Sequence, residues 1–166
     1  TGFSGSTGTF QPRYNPSDLP VVMQQDPMDM RSFAARDYMN AATQTSNGSV
    51  FIDEEPVQLG TAEAPVVWYI EGDLRLGKEA KISGYGVLLV RGSFTVEDSD
   101  ASIESAADDA STIAIYTQGA AKLAGGSIEA HLFAQQAVMW SGSPRFVGGV
   151  ATAGSLMMRS SASVEY

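Results

Sequence analysis

Side chains able to do chemistry are few in this sequence, and they are scattered. His131 is the single histidine, set beside Leu132 and Phe133 at the start of a strand-like stretch, and cysteine is absent. A Ser–His–Asp relay would need that imidazole as its base, yet no Gly-x-Ser-x-Gly elbow presents a nucleophile. His131 therefore reads as a structural or rim residue. Gly5-Ser6-Thr7-Gly8 lacks the Lys-Ser/Thr pair of a phosphate-cradling loop. Carboxylates cluster at Asp53-Glu54-Glu55, Glu97-Asp98-Ser99-Asp100 and Asp108-Asp109. Asp98 and Asp100 are the weak candidates for a Ca²⁺ site, but the spacing is not that of an EF-hand, and a solvated turn is the favoured reading. Glycan cleavage requires two acids converging on one groove. Here the acids are interspersed with Arg, Gln and Thr, so the expectation is a non-enzyme with no cofactor and no metal.

The basic residues make one small candidate patch. Arg75 and Lys122 fall in the same alternating column, with Lys81 and Arg91 nearby. Against a net charge of −9 and a pI near 4.4, this argues for at most weak binding of DNA or glycan.

The elements that would carry these side chains follow from composition and repeats. With 166 residues and 43% hydrophobic content, the chain can close one domain around a continuous core. Charged residues are only 17%, and 17 glycines with many Ser, Ala and Thr favour closely stacked strands over long helices. The longest apolar run, Gly86-Val87-Leu88-Leu89-Val90, has the length of a buried strand, so this fragment is not expected to insert in a membrane. It starts at Thr1 with no signal-peptide pattern, as a processed piece would.

Residues 1–60 are irregular in texture, with Pro12, Pro16, Pro20 and Pro27. Met30, Phe33, Ala34, Tyr38 and Ala41 recur at mostly helical intervals, predicting a helix at about residues 29–43 within a stretch from Met28 to about Thr45. Asn47-Gly48 would stop it, and Val50-Phe51-Ile52 reads as a short strand. Asn47-Gly48-Ser49 also matches the glycosylation sequon, with a turn as the preferred reading.

From Val66 onward the chain repeats itself. Tyr69-Ile70-Glu71-Gly72-Asp73-Leu74-Arg75-Leu76 aligns with Leu89 to Val96, Tyr116 to Leu123, Phe133 to Trp140 and Ala151 to Met158. The anchors Gly72, Gly92, Gly119, Gln136 and Gly154 lie 20, 27, 17 and 18 residues apart. Such periods with strand alternation predict a β-solenoid of about five rungs over 61–166, with the 106–111 stretch as a loop at one corner. The irregular segment and its helix should pack on that solenoid to make one globular unit.

Alternation also assigns faces. The columns Trp68/Leu88/Ile115/Leu132/Val150, Leu74/Phe94/Ala121/Val138/Leu156 and Leu76/Val96/Leu123/Trp140/Met158 should point inward. Glu71 and Arg91 should stack outside as an exposed pair. Tyr69, Leu89, Tyr116 and Phe133 also point outward yet are apolar, so this ladder must be covered by the helix or used by a partner.

The stretch Trp68-Tyr69-Ile70-Glu71-Gly72-Asp73-Leu74-Arg75-Leu76, continuing through Ala80-Lys81-Ile82-Ser83-Gly84-Tyr85-Gly86-Val87-Leu88-Leu89-Val90-Arg91-Gly92, resembles the pattern of PilX-like type IV pilus assembly proteins. That resemblance spans about Asp29 to Val96. It implies a bacterial cell-surface domain of minor-pilin type, acting in assembly, adhesion or partner binding, with pilin-like subunits as partners. Bactofilins, cytoskeletal solenoid polymers, are the competing relatives, although their rungs are more uniform. A nucleic-acid or glycan receptor at a pilus tip is the third reading.

Overall fold

The computed structural model describes residues 35–106, 112–159 and 163–165, with backbone alone at 35–37 and 163–165. The proline-rich start, the expected helix onset up to Ala34 and the Asp108-Asp109 loop lie outside the described residues. What is described falls within one compact unit, Ser32–Tyr166.

Short strands alternate among three parallel sheets. Sheet A runs β1 (Gln44–Ser46), β4 (Val66–Ile70), β7 (Gly86–Val90), β10 (Ile113–Thr117), β13 (His131–Ala134) and β16 (Val150–Thr152). Sheet B runs β2 (Val50–Ile52), β5 (Leu74–Leu76), β8 (Phe94–Val96), β11 (Ala121–Leu123), β14 (Val138–Trp140) and β17 (Leu156–Met158). Sheet C runs β3 (Pro56–Gln58), β6 (Lys81–Gly84), β9 (Ser102–Ser105), β12 (Ser127–Glu129), β15 (Arg145–Val147) and β18 (Ser163–Glu165). Each three-strand coil is one rung, and six rungs stack as a β-solenoid.

The expected register is the observed one, but Leu156 and Met158, expected inward with their columns, are 51% and 48% exposed on the last rung. Leu74 pairs with Phe94, Ala121 with Phe94 and Val138, and Val138 with Leu156. The inward columns of all three sheets meet in one core, where Ile82, Ile103, Ile128 and Phe146 of sheet C join the columns of sheets A and B. Trp140 and Phe146 meet edge to face at 5.5 Å on the fifth rung.

The anchor glycines stand over one another where neighbouring rungs approach closely, although Gln136 takes the same place on the fifth rung. Gly92 N–H donates to the Gly72 carbonyl at 2.9 Å, and Gly119 N–H to the Gly92 carbonyl at 2.8 Å. A Cβ at Gly119 would lie 2.6 Å from the Gly92 carbonyl oxygen, closer than real Cβ atoms come. Gly72 N–H in turn reaches the Gly48 carbonyl at 3.1 Å, which makes Gly48 the first member of this column.

Two further expectations are corrected. The stack has one rung more than expected, since Gln44–Gln58, of which only Val50–Ile52 was read as strand, is the first rung. The described part of the expected helix is a 3₁₀ helix, Ala35–Ala41, and Gln44–Ser46 is strand. The edge of β4 explains the change. Thr43 N–H donates to the Val67 carbonyl at 2.9 Å, and Val67 N–H donates to the Thr43 hydroxyl at 3.0 Å. The edge supplies backbone partners, and β-branched Thr43 and Thr45 suit a pleated surface better than a helical turn.

Candidate functional site

Sheet A carries the one outward surface on which apolar side chains line up rung after rung among the described residues. Strand register places Thr45, Tyr69, Leu89, Tyr116, Phe133 and Ala151 in a single column. Val67, Val87, Ala114 and His131 form the column beside it. In-phase repeats put like side chains at neighbouring positions, so the apolar character runs up the face.

The lower half of this face is covered. The 3₁₀ helix lies against β4 and β7, and Ala42 packs with Val67 and Val87 around Tyr69 and Leu89. Tyr69 keeps only 1% of its surface exposed, and its hydroxyl donates to Glu71 Oε2 at 2.5 Å. The other carboxylate oxygen of Glu71 accepts from Arg91 on the next rung. Met30 and Phe33, the other expected covers, lie outside the described residues; Tyr38 borders a cavity of about 280 Å³ with Ala41, Leu89 and Tyr116.

The upper half is more open. Tyr116 is 36% exposed, and its ring meets that of Phe133 at 5.8 Å with 44° between planes. Above them the columns shrink abruptly, from Phe133 to Ala151 and from His131 to Gly149. That step in side-chain size makes a groove of about 310 Å³ bordered by Ala114, Tyr116, His131, Phe133, Gly149 and Ala151. His131 forms its lip, with Nδ1 accepting the Gly149 N–H at 3.1 Å. A Cβ at Gly149 would sit 3.0 Å from that nitrogen, so glycine keeps the lip seated. Tyr116 borders both cavities and stands between them.

The candidate basic patch does not come together. Arg75 lies on sheet B, Lys81 on sheet C and Arg91 at the turn after β7, each bound to a carboxylate on a neighbouring rung. Arg75 Nη2 holds both oxygens of Glu97 at 2.7 and 2.9 Å, and Lys81 reaches Glu104 at 3.3 Å. The phenyl ring of Phe51 also lies under Arg75, 5.8 Å from its guanidinium carbon. Lys122 alone of the four is without an ion pair.

Asp98 and Asp100 form a local turn. Asp98 Oδ1 accepts the Asp100 N–H at 2.9 Å, and the Ser99 hydroxyl donates to Asp100 Oδ1 at 3.4 Å. Among the described residues, no three His, Asp or Glu side chains gather as a metal site. None of the described helices is long and apolar enough to cross a membrane. Gly149 and the contact by which it seats His131 were not legible from the sequence, because they depend on which rung lies beside which.

No family model and no curated protein matches this sequence, and no solved structure matches the fold.

Proposed function

We propose that this chain is a non-catalytic surface module of a type IV pilus-like minor component, and that it holds a protein partner on the upper half of sheet A. The observation that carries this reading is the step between the Tyr116–Phe133 pair and the small residues Gly149 and Ala151. It leaves an apolar groove beside two aromatic rings, whereas the exposed cations Arg75, Lys81 and Arg145 elsewhere are ion-paired. Aromatic side chains beside a small concavity are the usual anchors of protein recognition. Burying one such side chain contributes roughly 1.5–3 kcal/mol. The resemblance of Trp68–Gly92 to PilX-like proteins supplies the pilus context, the cell-surface location and pilin-like subunits as the partner class.

The test is a pull-down of this chain against pilin-like subunits encoded by the same genome, with Tyr116→Ser/Phe133→Ser as the comparison. The reading expects capture by the parent and loss of capture by a variant whose far-ultraviolet circular dichroism is unchanged. Equal capture by the folded variant contradicts it.

A second reading, a polymerising scaffold, is favoured by one observation. Leu156 and Met158 of the last rung are 51% and 48% exposed, although the same columns are buried one rung below. An uncovered edge of this kind invites strand addition. Filaments of the purified chain under the electron microscope would favour it; a monomer or small oligomer favours the first reading.

A further inference from the structure

The outer face of sheet B holds a second surface with different chemistry. Elsewhere on the solenoid, cations are neutralised by carboxylates one rung away: Arg75 by Glu97, Lys81 by Glu104, Arg91 by Glu71 and Arg145 by Glu129. Lys78 meets Glu79, its neighbour in sequence. Two exposed cations among the described side chains stand outside this arrangement, Lys122 on β11 and Arg159 just after β17.

Both border one cavity of about 390 Å³ over the third to sixth rungs. The register shows why nothing neutralises Lys122: its column neighbours are Thr95 below and Met139 above. Glu97 is also on the wall, but both its oxygens are held by Arg75. Met139 and Met157 pair across β14 and β17 and give the cavity an apolar floor between the two cations. Two rungs and two residues of strand separate Lys122 from Arg159, which is about 12 Å between their Cα atoms.

We propose that this cleft docks an extended acidic segment of a partner protein, with two carboxylates flanking an aliphatic side chain. The Arg159 guanidinium suits a bidentate carboxylate, and the Lys122 ammonium can meet a second one. Methionine is flexible and polarisable and accepts aliphatic side chains of varied shape. A nucleic-acid strand fits worse: two cations do not make a phosphate track, and the floor offers methionine in place of stacking rings. The cleft is on a different sheet from the aromatic groove, and this inference does not rest on the function proposed above.

Fluorescence anisotropy tests it on the full chain, using a fluorescein-labelled peptide of sequence Leu-Glu-Val-Glu-Leu and its Lys counterpart. The acidic peptide should bind at low salt and weaken as salt is raised, while the Lys peptide should not bind. Lys122→Glu and Arg159→Glu should each reduce affinity by roughly tenfold or less, and together abolish binding. Arg145→Glu, on sheet C, should leave it unchanged. The inference is overturned if the parent fails to bind the acidic peptide, if the folded Lys122→Glu/Arg159→Glu variant binds as well as the parent, or if a single-stranded thymidine oligomer binds in preference.

Discussion

The hydroxyl of Thr117, on the fourth rung, donates to the carbonyl oxygen of Gly92 on the third rung at 2.7 Å. Thr117 is the one fully buried polar residue in the described core, and its column neighbours are Val90 and Ala134. The same carbonyl accepts the Gly119 N–H at 2.8 Å, so it stays partnered without the hydroxyl. Thr117→Val is therefore expected to cost no more than about 1 kcal/mol, because the added methyl enters an apolar column. Urea denaturation measures this; a loss above about 3 kcal/mol would mean that the hydroxyl holds the corner together.

The glycine column predicts opposite outcomes for one substitution at two of its positions. Gly48→Ala should be tolerated, since nothing lies within 4 Å of a Cβ there. Gly119→Ala should destabilise by several kcal/mol, since its Cβ would meet the Gly92 backbone at 2.6 and 2.8 Å. Thermal melts of the two variants give the comparison, and equal melting temperatures would contradict the stacked corner.

Position in the stack should likewise decide what a core column tolerates. Leu76→Ala, in a fully buried site, is expected to cost about 2–5 kcal/mol. Met158→Ala, in the same column at the open end, should cost under about 1 kcal/mol because half the side chain already meets water. Guanidinium unfolding of both variants checks this ordering, which reverses if the last rung is the stabilising one.

The exposed pair Glu71–Arg91 should contribute little by itself. Arg91→Ala is expected to cost under about 1 kcal/mol, and less at high salt. Glu71→Leu should cost more, about 1–3 kcal/mol, because the buried Tyr69 hydroxyl loses the oxygen it donates to. A double-mutant cycle separates the two contributions.

Much of the solenoid was legible because every inner rung asks for the same side chains at the same places. Leu74, Phe94, Val138 and Leu156 announce one column by chemistry alone. The first strand of the first rung escaped notice because its core-facing places are polar: Gln44 pairs with Trp68, and Ser46 pairs with Ile70. Ser46 earns no apolar signal, yet its hydroxyl accepts the Trp68 indole N–H at 3.0 Å. Its neighbours then fitted a helical interval as readily as a strand.

The ladder Tyr69, Leu89, Tyr116 and Phe133 was legible as a column, but not its division into a covered lower half and an upper half that is more exposed among the described residues. That division depends on where the chain before β1 crosses β4 and β7. The basic patch misled for a related reason. Counting along the chain places Arg75 and Lys122 in one column, but the neutralising Glu97 sits off it, on the next rung. Arg159 joins Lys122 only through the stacking of β11, β14 and β17.

The central claim, that the upper half of sheet A receives a protein partner, is tested most directly by site-specific photo-cross-linking. A photoreactive phenylalanine is placed at Phe133, and in a second sample at Lys81 on sheet C, before mixing with the pilin-like subunit. The account predicts cross-links to the subunit from position 133 and none from position 81. Cross-links from position 81 with none from 133 would contradict it.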